Sequence, residues 1–165
     1  MLNGEEIAIK RVLDMDERKV KTFLREVNTM SRLKHPNIVV LVGVAISDAD
    51  SYLLTEFVKR GSLFDLIHAK RNRARTHISW ANAITVLRGT VAGMSYLHSM
   101  DPPFLHRDLK SQNLLIADNW VVKICDFGMA RVRSLAVTMT KLGTLQWVAP
   151  EVLREERYSE KADIY

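Results

Sequence analysis

Alternating and helical spacings of apolar residues define four segments in the first third of the chain. They predict a strand, a helix and two further strands, at residues 5–13, 17–33, 38–46 and 52–58. In the first strand Ala8, Lys10 and Val12 share one face, so a lysine lies on an apolar side. The sequence His35-Pro36-Asn37 ends the helix, because the residue before a proline disfavours helical backbone.

Glu26 lies on the apolar side of the predicted helix. The apolar positions of that helix are Val20, Phe23, Leu24, Val27 and Met30. A carboxylate in such a position needs a partner, and Lys10 on the preceding strand could neutralise it. Taken alone, Lys10 is instead an edge-strand lysine that extends its ammonium to water. Both interpretations stay open at this point.

The remainder of the chain is mainly helical. Ser62–Asp65 has the pattern of a capping box with Asp in place of Glu. A long amphipathic helix is predicted over residues 80–97, with apolar residues three and four positions apart at Trp80, Ile84, Leu87, Val91, Met94 and Leu97. Two short strands, 114–117 and 121–125, follow around a turn. A small β-rich half, a hinge near residues 55–61 and a helical half together indicate an α+β fold.

The 165 residues, 47% of them apolar, suit one domain or part of a larger one. Cys125 is the only cysteine, so no internal disulfide can form and a reducing compartment is favoured over secretion. No apolar run approaches the ~20 residues of a membrane span, and the first residues do not resemble a signal peptide. We expect a cytoplasmic or nuclear protein with no membrane segment in this chain.

The net charge of +5 comes largely from the basic stretch 70–75. Such a stretch could contact nucleic acid or an anionic membrane, or it could be a solvated loop between two helices. No aromatic residues lie between its charges to stack on bases, which favours the loop. We therefore expect no nucleic-acid partner.

The run 106–113 is polar, although it lies between apolar segments. It reads His-Arg-Asp-Leu-Lys-Ser-Gln-Asn, and Asp126 follows the next pair of strands. A hairpin of those strands would bring Asp126 beside Asp108 and Asn113. Two carboxylates and an amide oxygen are hard ligands, suited to Mg²⁺ bound to phosphates.

These residues resemble the signature set of a protein kinase catalytic domain, in the same order and over essentially the whole chain. The matching motifs are Ile7-Ala8-Ile9-Lys10, Glu26, His35-Pro36-Asn37-Ile38-Val39, Thr55-Glu56-Phe57-Val58, His106–Asn113, Asp126-Phe127-Gly128 and Ala149-Pro150-Glu151. The resemblance implies a bilobal α+β fold. Residues 1–58 would hold the rest of the N-terminal lobe and the hinge, and residues 59–165 the first part of the C-terminal lobe.

The resemblance also implies a role for each polar residue of the site. Lys10, held by Glu26, would orient the phosphates of ATP, and Asp126 with Asn113 would hold Mg²⁺. Asp108 would accept the proton of the substrate hydroxyl. ATP and Mg²⁺ are therefore the expected cofactors.

A slot for adenine between the two lobes is implied in the same way. Ala8 and Leu115 would contact the two faces of the base. The backbone of Glu56 and Val58 would hydrogen-bond its edge, and Thr55 would control the pocket behind it.

Further expectations concern the surroundings of the site. By resemblance, four residues form an apolar stack that assembles in the active state, namely Met30, Leu41, His106 and Phe127. Asp163 would brace the loop that carries Asp108. Ser62 is interpreted as a helix N-cap and Cys125 as a small buried residue. His98 shows no partner pattern.

The residues that follow Asp108 indicate which hydroxyl is phosphorylated. Lys110, two residues on, and the pair Gly143-Thr144 match the pattern of serine/threonine kinases. The sequence around them is similar to that of the tyrosine-kinase-like group. In that family the lysine lies near the transferred phosphate. We expect phosphotransfer to Ser and Thr hydroxyls of protein substrates.

The segment 129–148 resembles an activation loop. Arg107 beside the catalytic aspartate can pair with a phosphate on that loop, and Thr140 matches the family's primary phosphosite. We expect Thr140 to be modified by an upstream kinase or by autophosphorylation.

The glycine-rich loop that precedes the lysine strand in this family is absent, since none of the seven glycines has its spacing. Residues that usually follow Tyr165 are absent as well. The chain is interpreted as a partial kinase domain, truncated at both ends, and we expect it to be unstable or inactive alone. The alternative is a pseudokinase acting as a binding or scaffold module, which the presence of Lys10, Asp108 and Asp126 disfavours.

Overall fold

A computed structural model gives the fold of most of the chain. It describes residues 1–2, 4–13, 17–47, 50–68, 78–127, 131–132, 145–154 and 156–165. The basic stretch 70–75, the predicted phosphosite Thr140 and the pair Gly143-Thr144 lie outside the described residues.

A three-stranded antiparallel sheet and one helix form the first part of the structure. In chain order the elements are β1 (Ile7–Leu13), α1 (Glu17–Met30), β2 (Leu41–Ile46) and β3 (Asp50–Glu56). The sheet has the order β1-β3-β2. This confirms the predicted succession of strand, helix, strand and strand, with boundaries that differ by two to three residues.

Helix α1 buries the side predicted from its apolar spacing, with one exception. Phe23 and Met30 are buried and join Leu53 of β3 in the hydrophobic core. Leu24, which the same spacing placed among the apolar positions, is 54% exposed. Leu24 follows Phe23 directly, and one step along a helix rotates a side chain by about 100°, which turns it away from the sheet.

The second part is mainly helical with short strand pairs. Its elements are α2 (Leu63–His68), α3 (Trp80–His98), β4 (Phe104–Leu105), β5 (Leu114–Ile116), β6 (Val122–Ile124), β7 (Arg131–Val132) and α4 (Pro150–Leu153). β4 pairs with β7, and β5 pairs with β6, both antiparallel. The α+β class and the predicted hairpin of two short strands are confirmed.

Helix α3 is present as predicted, but the residues that it buries differ from those at the predicted apolar positions. The buried residues are Val86, Gly93, Met94 and Leu97. Trp80, Leu87 and Val91 are more than half exposed, so the prediction was right only for the last turns of the helix. The difference arises because small residues, not large ones, let the helix approach β6.

Gly89 and Gly93 allow this approach. A methyl group added at Gly89 would lie 2.6 Å from a methyl of Val122 and 2.8 Å from the amide nitrogen of Asn37. At Gly93 it would lie 2.7 Å from the end of Ile124. No side chain fits at Gly89 unless β6 or its neighbours shift.

We expect Gly89→Val to lower the free energy of unfolding by about 1–3 kcal/mol, because it overpacks this contact. Denaturant unfolding followed by circular dichroism measures the change. Ala92→Val places the same side chain on an exposed position of the same helix and should stay within about 0.5 kcal/mol. Equal losses for the two variants would show that α3 does not depend on close contact at Gly89.

The segment before β2 fastens the first part to the second. The backbone of Val39 and Asn37 exchanges hydrogen bonds of 2.9 Å with Ile124. The side-chain amide of Asn37 donates to the carbonyl of Val122 at 2.9 Å. Buried side chains from both parts consequently form one hydrophobic core.

Among the helices of the described residues, none has the length and apolarity required to cross a membrane.

Candidate active site

Lys10 is held between two carboxylates from distant parts of the chain. It lies opposite buried Leu53 in the β1–β3 register, on the face of the sheet that α1 packs against. Its ammonium donates to Glu26 at 2.9 Å and to Asp126 at 3.0 Å. This resolves the two interpretations in favour of the pair with Glu26, whose side chain is only 6% exposed.

The electrostatic environment of Lys10 keeps it charged. Burial by itself lowers the pKa of Lys10, but the carboxylates of Glu26 and Asp126 outweigh that effect and the net pKa is raised. The ammonium therefore remains a positive charge held between Glu26 and Asp126.

Asp108 lies in a buried loop with one cation and one amide directed at it. The ammonium of Lys110 donates to both of its carboxylate oxygens, at 2.8 and 2.9 Å. The side-chain amide of Asn113 donates to Asp108 Oδ2 at 3.0 Å and to its backbone carbonyl at 2.8 Å. The residues predicted from the polar run thus converge on one carboxylate.

The predicted β5–β6 hairpin places the backbone of Asn113 against Cys125, one residue before Asp126. The backbone N–H of Cys125, the residue before Asp126, donates to the carbonyl of Asn113 at 3.0 Å. Asp126 has a left-handed backbone with φ of 62°, which directs the chain away from the strand direction just after β6. Cys125 is partly buried, where full burial was expected, and burial raises the pKa of its thiol to about 12, which disfavours the reactive thiolate.

Asp163 anchors the backbone of the loop that carries Asp108. Its carboxylate accepts from the backbone N–H of His106 at 2.8 Å and from that of Arg107 at 2.7 Å. Arg107 has φ of 68°, a left-handed conformation that an arginine rarely adopts. These two hydrogen bonds support that strained conformation.

His98, which shows no partner pattern in the sequence, has a partner in the structure. Its Nε2 lies 2.9 Å from Oδ2 of Asp163. Since a carboxylate only accepts, Nε2 carries the proton in this contact. The two residues are 65 positions apart, and only tertiary folding brings them together.

The apolar surroundings of the site assemble as expected. The rings of His106 and Phe127 lie 5.2 Å apart at their centres, and both residues are fully buried. Met30 belongs to the same buried core, and Leu41 packs against it. Burial lowers the pKa of His106, so its ring is neutral. Its Nε2 lies 3.0 Å from the carbonyl oxygen of Cys125, within hydrogen-bonding distance.

The residues predicted around adenine lie at the junction of the two parts. Ala8 pairs with Thr55 across β1 and β3, and Val58 is buried two residues after β3 ends. Leu115 on β5 forms an isolated bridge with Ser62. Asp65 and Ser62 exchange the hydrogen bonds of a capping box, which confirms the N-cap interpretation of Ser62.

The structure describes the position of Arg107, but not that of Thr140, whose phosphate is its predicted partner. Its guanidinium carbon lies 5.8 Å from the centre of the Tyr158 ring. Thr140 lies outside the described residues, so the predicted pairing of Arg107 with a phosphate there stays a prediction.

The donor set at Asn113 and Asp126 fits Mg²⁺ that arrives with phosphates. In the described part of the chain, no three His, Cys, Asp or Glu side chains cluster as they would to hold a metal alone. Mg²⁺ is commonly bound by one or two protein oxygens together with substrate phosphates. A single carboxylate with a nearby amide oxygen is consistent with that mode.

Comparison with known proteins agrees with this geometry. A family model for the protein kinase domain matches residues 1–165. The probable serine/threonine-protein kinase drkB of Dictyostelium discoideum is 40% identical over 98% of this chain. From Arabidopsis thaliana, the serine/threonine-protein kinase CTR1 is 40% identical and the probable serine/threonine-protein kinase SIS8 43% identical, each over 99% of this chain. The chain spans 23%, 20% and 16% of the lengths of these relatives.

Proposed function

Because the chain belongs to the protein kinase domain family, we propose that it supplies the phosphoryl-transfer site of a serine/threonine protein kinase. The reaction transfers the γ-phosphoryl group of ATP to Ser or Thr hydroxyls of protein substrates. The observation that carries this proposal is the convergence of Lys110 and Asn113 on the carboxylate of Asp108. The relatives with this name support the same class of hydroxyl.

Asp108 performs the proton chemistry in this proposal. Its carboxylate accepts a hydrogen bond from the substrate hydroxyl and takes the proton as the oxygen attacks phosphorus. Asn113 and Lys110 hold the carboxylate in one orientation. Lys110 also places a positive charge beside the carboxylate, where it offsets negative charge on the transferred phosphoryl group.

Lys10 positions the phosphates of ATP. Glu26 holds its ammonium at the junction of sheet and helix, and that ammonium also reaches Asp126. When bound, Mg²⁺ neutralises charge on the β- and γ-phosphates, and Asp126 and Asn113 are the residues that would hold it. Phosphoryl transfer depends mainly on such positioning and charge stabilisation.

Regulation through the activation loop is part of this proposal. Phosphorylation of Thr140, by an upstream kinase or by the protein itself, would offer a dianion to Arg107. The support is the position of Arg107 directly before Asp108 and the hydrogen bond from its backbone to Asp163. A phosphate bound there would stabilise the left-handed backbone of Arg107.

A thermal melt with and without Mg²⁺ and ATP tests the nucleotide site. We expect the transition to move upward with both ligands present, because at 100 times the Kd binding adds about 2.7 kcal/mol of stability. Lys10→Met should abolish most of that shift, whereas Lys21→Met, on the exposed side of α1, should leave it unchanged. A shift that is equal in all three proteins would contradict the assigned site.

A further inference from the structure

The side chain of Glu56, the last residue of β3, is held from two directions. Its Oε1 accepts from the backbone N–H of Val40 and from the ammonium of Lys123, each at 2.9 Å. The backbone N–H of Glu56 in turn donates to the carbonyl of Val40 at 3.1 Å. Oε1 of Glu56 therefore links the hinge both to the segment before β2 and to β6.

Lys123 belongs to the strand that leads to the proposed metal-binding residue. It is the middle residue of β6, between two fully buried neighbours, and Asp126 follows three positions later. Its side chain is 17% exposed and that of Glu56 is 30% exposed, so the ion pair is partly shielded from water. Such shielding makes the attraction stronger than that of a surface pair.

The segment 37–40 is also tied to β6 by the hydrogen bonds of Asn37 and Val39 described above. Apart from Lys123, Glu56 joins this unit through Val40, and the hinge meets β5 farther on, where the amide of Ile116 donates to the carbonyl of Gly61. Through Lys123, the hinge is attached to β6 directly. The backbone of Glu56 consequently keeps one position relative to the strand that ends at Asp126.

We propose that Lys123 is a positioning residue for the nucleotide base. By holding the Glu56 side chain, it fixes the hinge backbone at the spacing from Asp126 that lets adenine and the phosphates bind together. The proposal rests on the proposed function for the adenine site. It adds that the Lys123–Glu56 ion pair holds the base-contacting residues 56–58 at a constant distance from Asp126.

Lys123→Met tests this role, because methionine keeps most of the apolar stem and removes the charge. We expect ATP with Mg²⁺ to bind about 3- to 10-fold more weakly, measured by titration calorimetry. Inorganic triphosphate with Mg²⁺, which has no base, should bind as before. Lys123→Arg, which keeps a donor cation, should recover most of the ATP affinity.

Lys59→Met is the matched control, since Lys59 is an exposed lysine directly after Val58. It should change neither affinity. Equal weakening of ATP and triphosphate binding in Lys123→Met would overturn the proposal, because it would show a general loss of structure. An unchanged affinity for ATP would overturn it as well.

Hydrogen exchange separates this proposal from the function on which it rests. Without nucleotide, the Val40 amide reports directly whether the Glu56 carboxylate is held. We expect Lys123→Met to speed exchange at Val40 and not at Ile124, whose amide bonds to Asn37. An unchanged Val40 rate would refute the proposal even in a protein that binds no ATP. Failure of the wild-type protein to bind ATP would instead refute the proposed function.

Discussion

Asp108→Asn should lower the rate of phosphoryl transfer by about 10²–10⁴-fold, the usual contribution of a positioned general base. Asparagine keeps the size of the side chain and one oxygen that can accept from Lys110 or Asn113. It cannot take a proton from the substrate hydroxyl. The affinity for ATP with Mg²⁺ should therefore change by less than about twofold, because Asp108 does not hold the nucleotide in the proposed mechanism.

The rate of phosphoryl transfer is measured on the intact gene product, at saturating ATP and with a serine-containing protein substrate. Asp118→Asn is the matched control, since Asp118 is an exposed acid on the turn between β5 and β6. It should retain full activity. If Asp108→Asn kept more than a tenth of the wild-type rate, the role of Asp108 as the base would be wrong.

Asp163→Ala should lower both stability and activity. The substitution removes the acceptor of three donors, the backbone N–H groups of His106 and Arg107 and Nε2 of His98. Each buried donor without a partner costs about 1–3 kcal/mol, so the two backbone groups alone imply a loss of about 2–6 kcal/mol in the free energy of unfolding. Activity should fall further than stability predicts, because the left-handed backbone of Arg107 loses its support and Asp108 follows it directly.

Two measurements separate the loss of stability from the loss of activity. Denaturant unfolding gives the first, and the rate of phosphoryl transfer gives the second, both at a temperature where the variant is folded. Asp163→Asn keeps one carbonyl oxygen and should lose about half as much stability. Glu156→Ala removes an exposed acid near the same end of the chain and should change neither quantity. A folded Asp163→Ala protein with wild-type activity would show that Asp163 does not position the loop.

The pattern of the sequence was sufficient for much of the fold. Alternating and helical spacings located the strands of the sheet and helices α1 and α3, because such periodicity follows directly from backbone geometry. The spacing was less informative about which side of α3 is buried. Gly89 and Gly93 carry no hydrophobic signal, yet their lack of a side chain decides which face can reach β6.

The site residues were predicted from the order of motifs along the chain, and the structure brings several of them together. Lys10 contacts Glu26 and Asp126, and Asp108 contacts Lys110 and Asn113. Nothing in the sequence indicates the links from His98 to Asp163 or from Glu56 to Lys123. The positions of those pairs differ by 65 and 67 residues, and nothing local marks either partner.

Residue types and their order along the chain were sufficient to indicate the family, the succession of elements and the charged residues of the site. Those features depend on residue types and on short-range geometry, which periodicity and motif order record. Three features became apparent only from the fold: the face of α3 that packs on β6, the contact of His98 with Asp163, and the attachment of the hinge to β6. Each of these depends on contacts between residues far apart in the chain, where steric fit and hydrogen-bond direction decide the outcome.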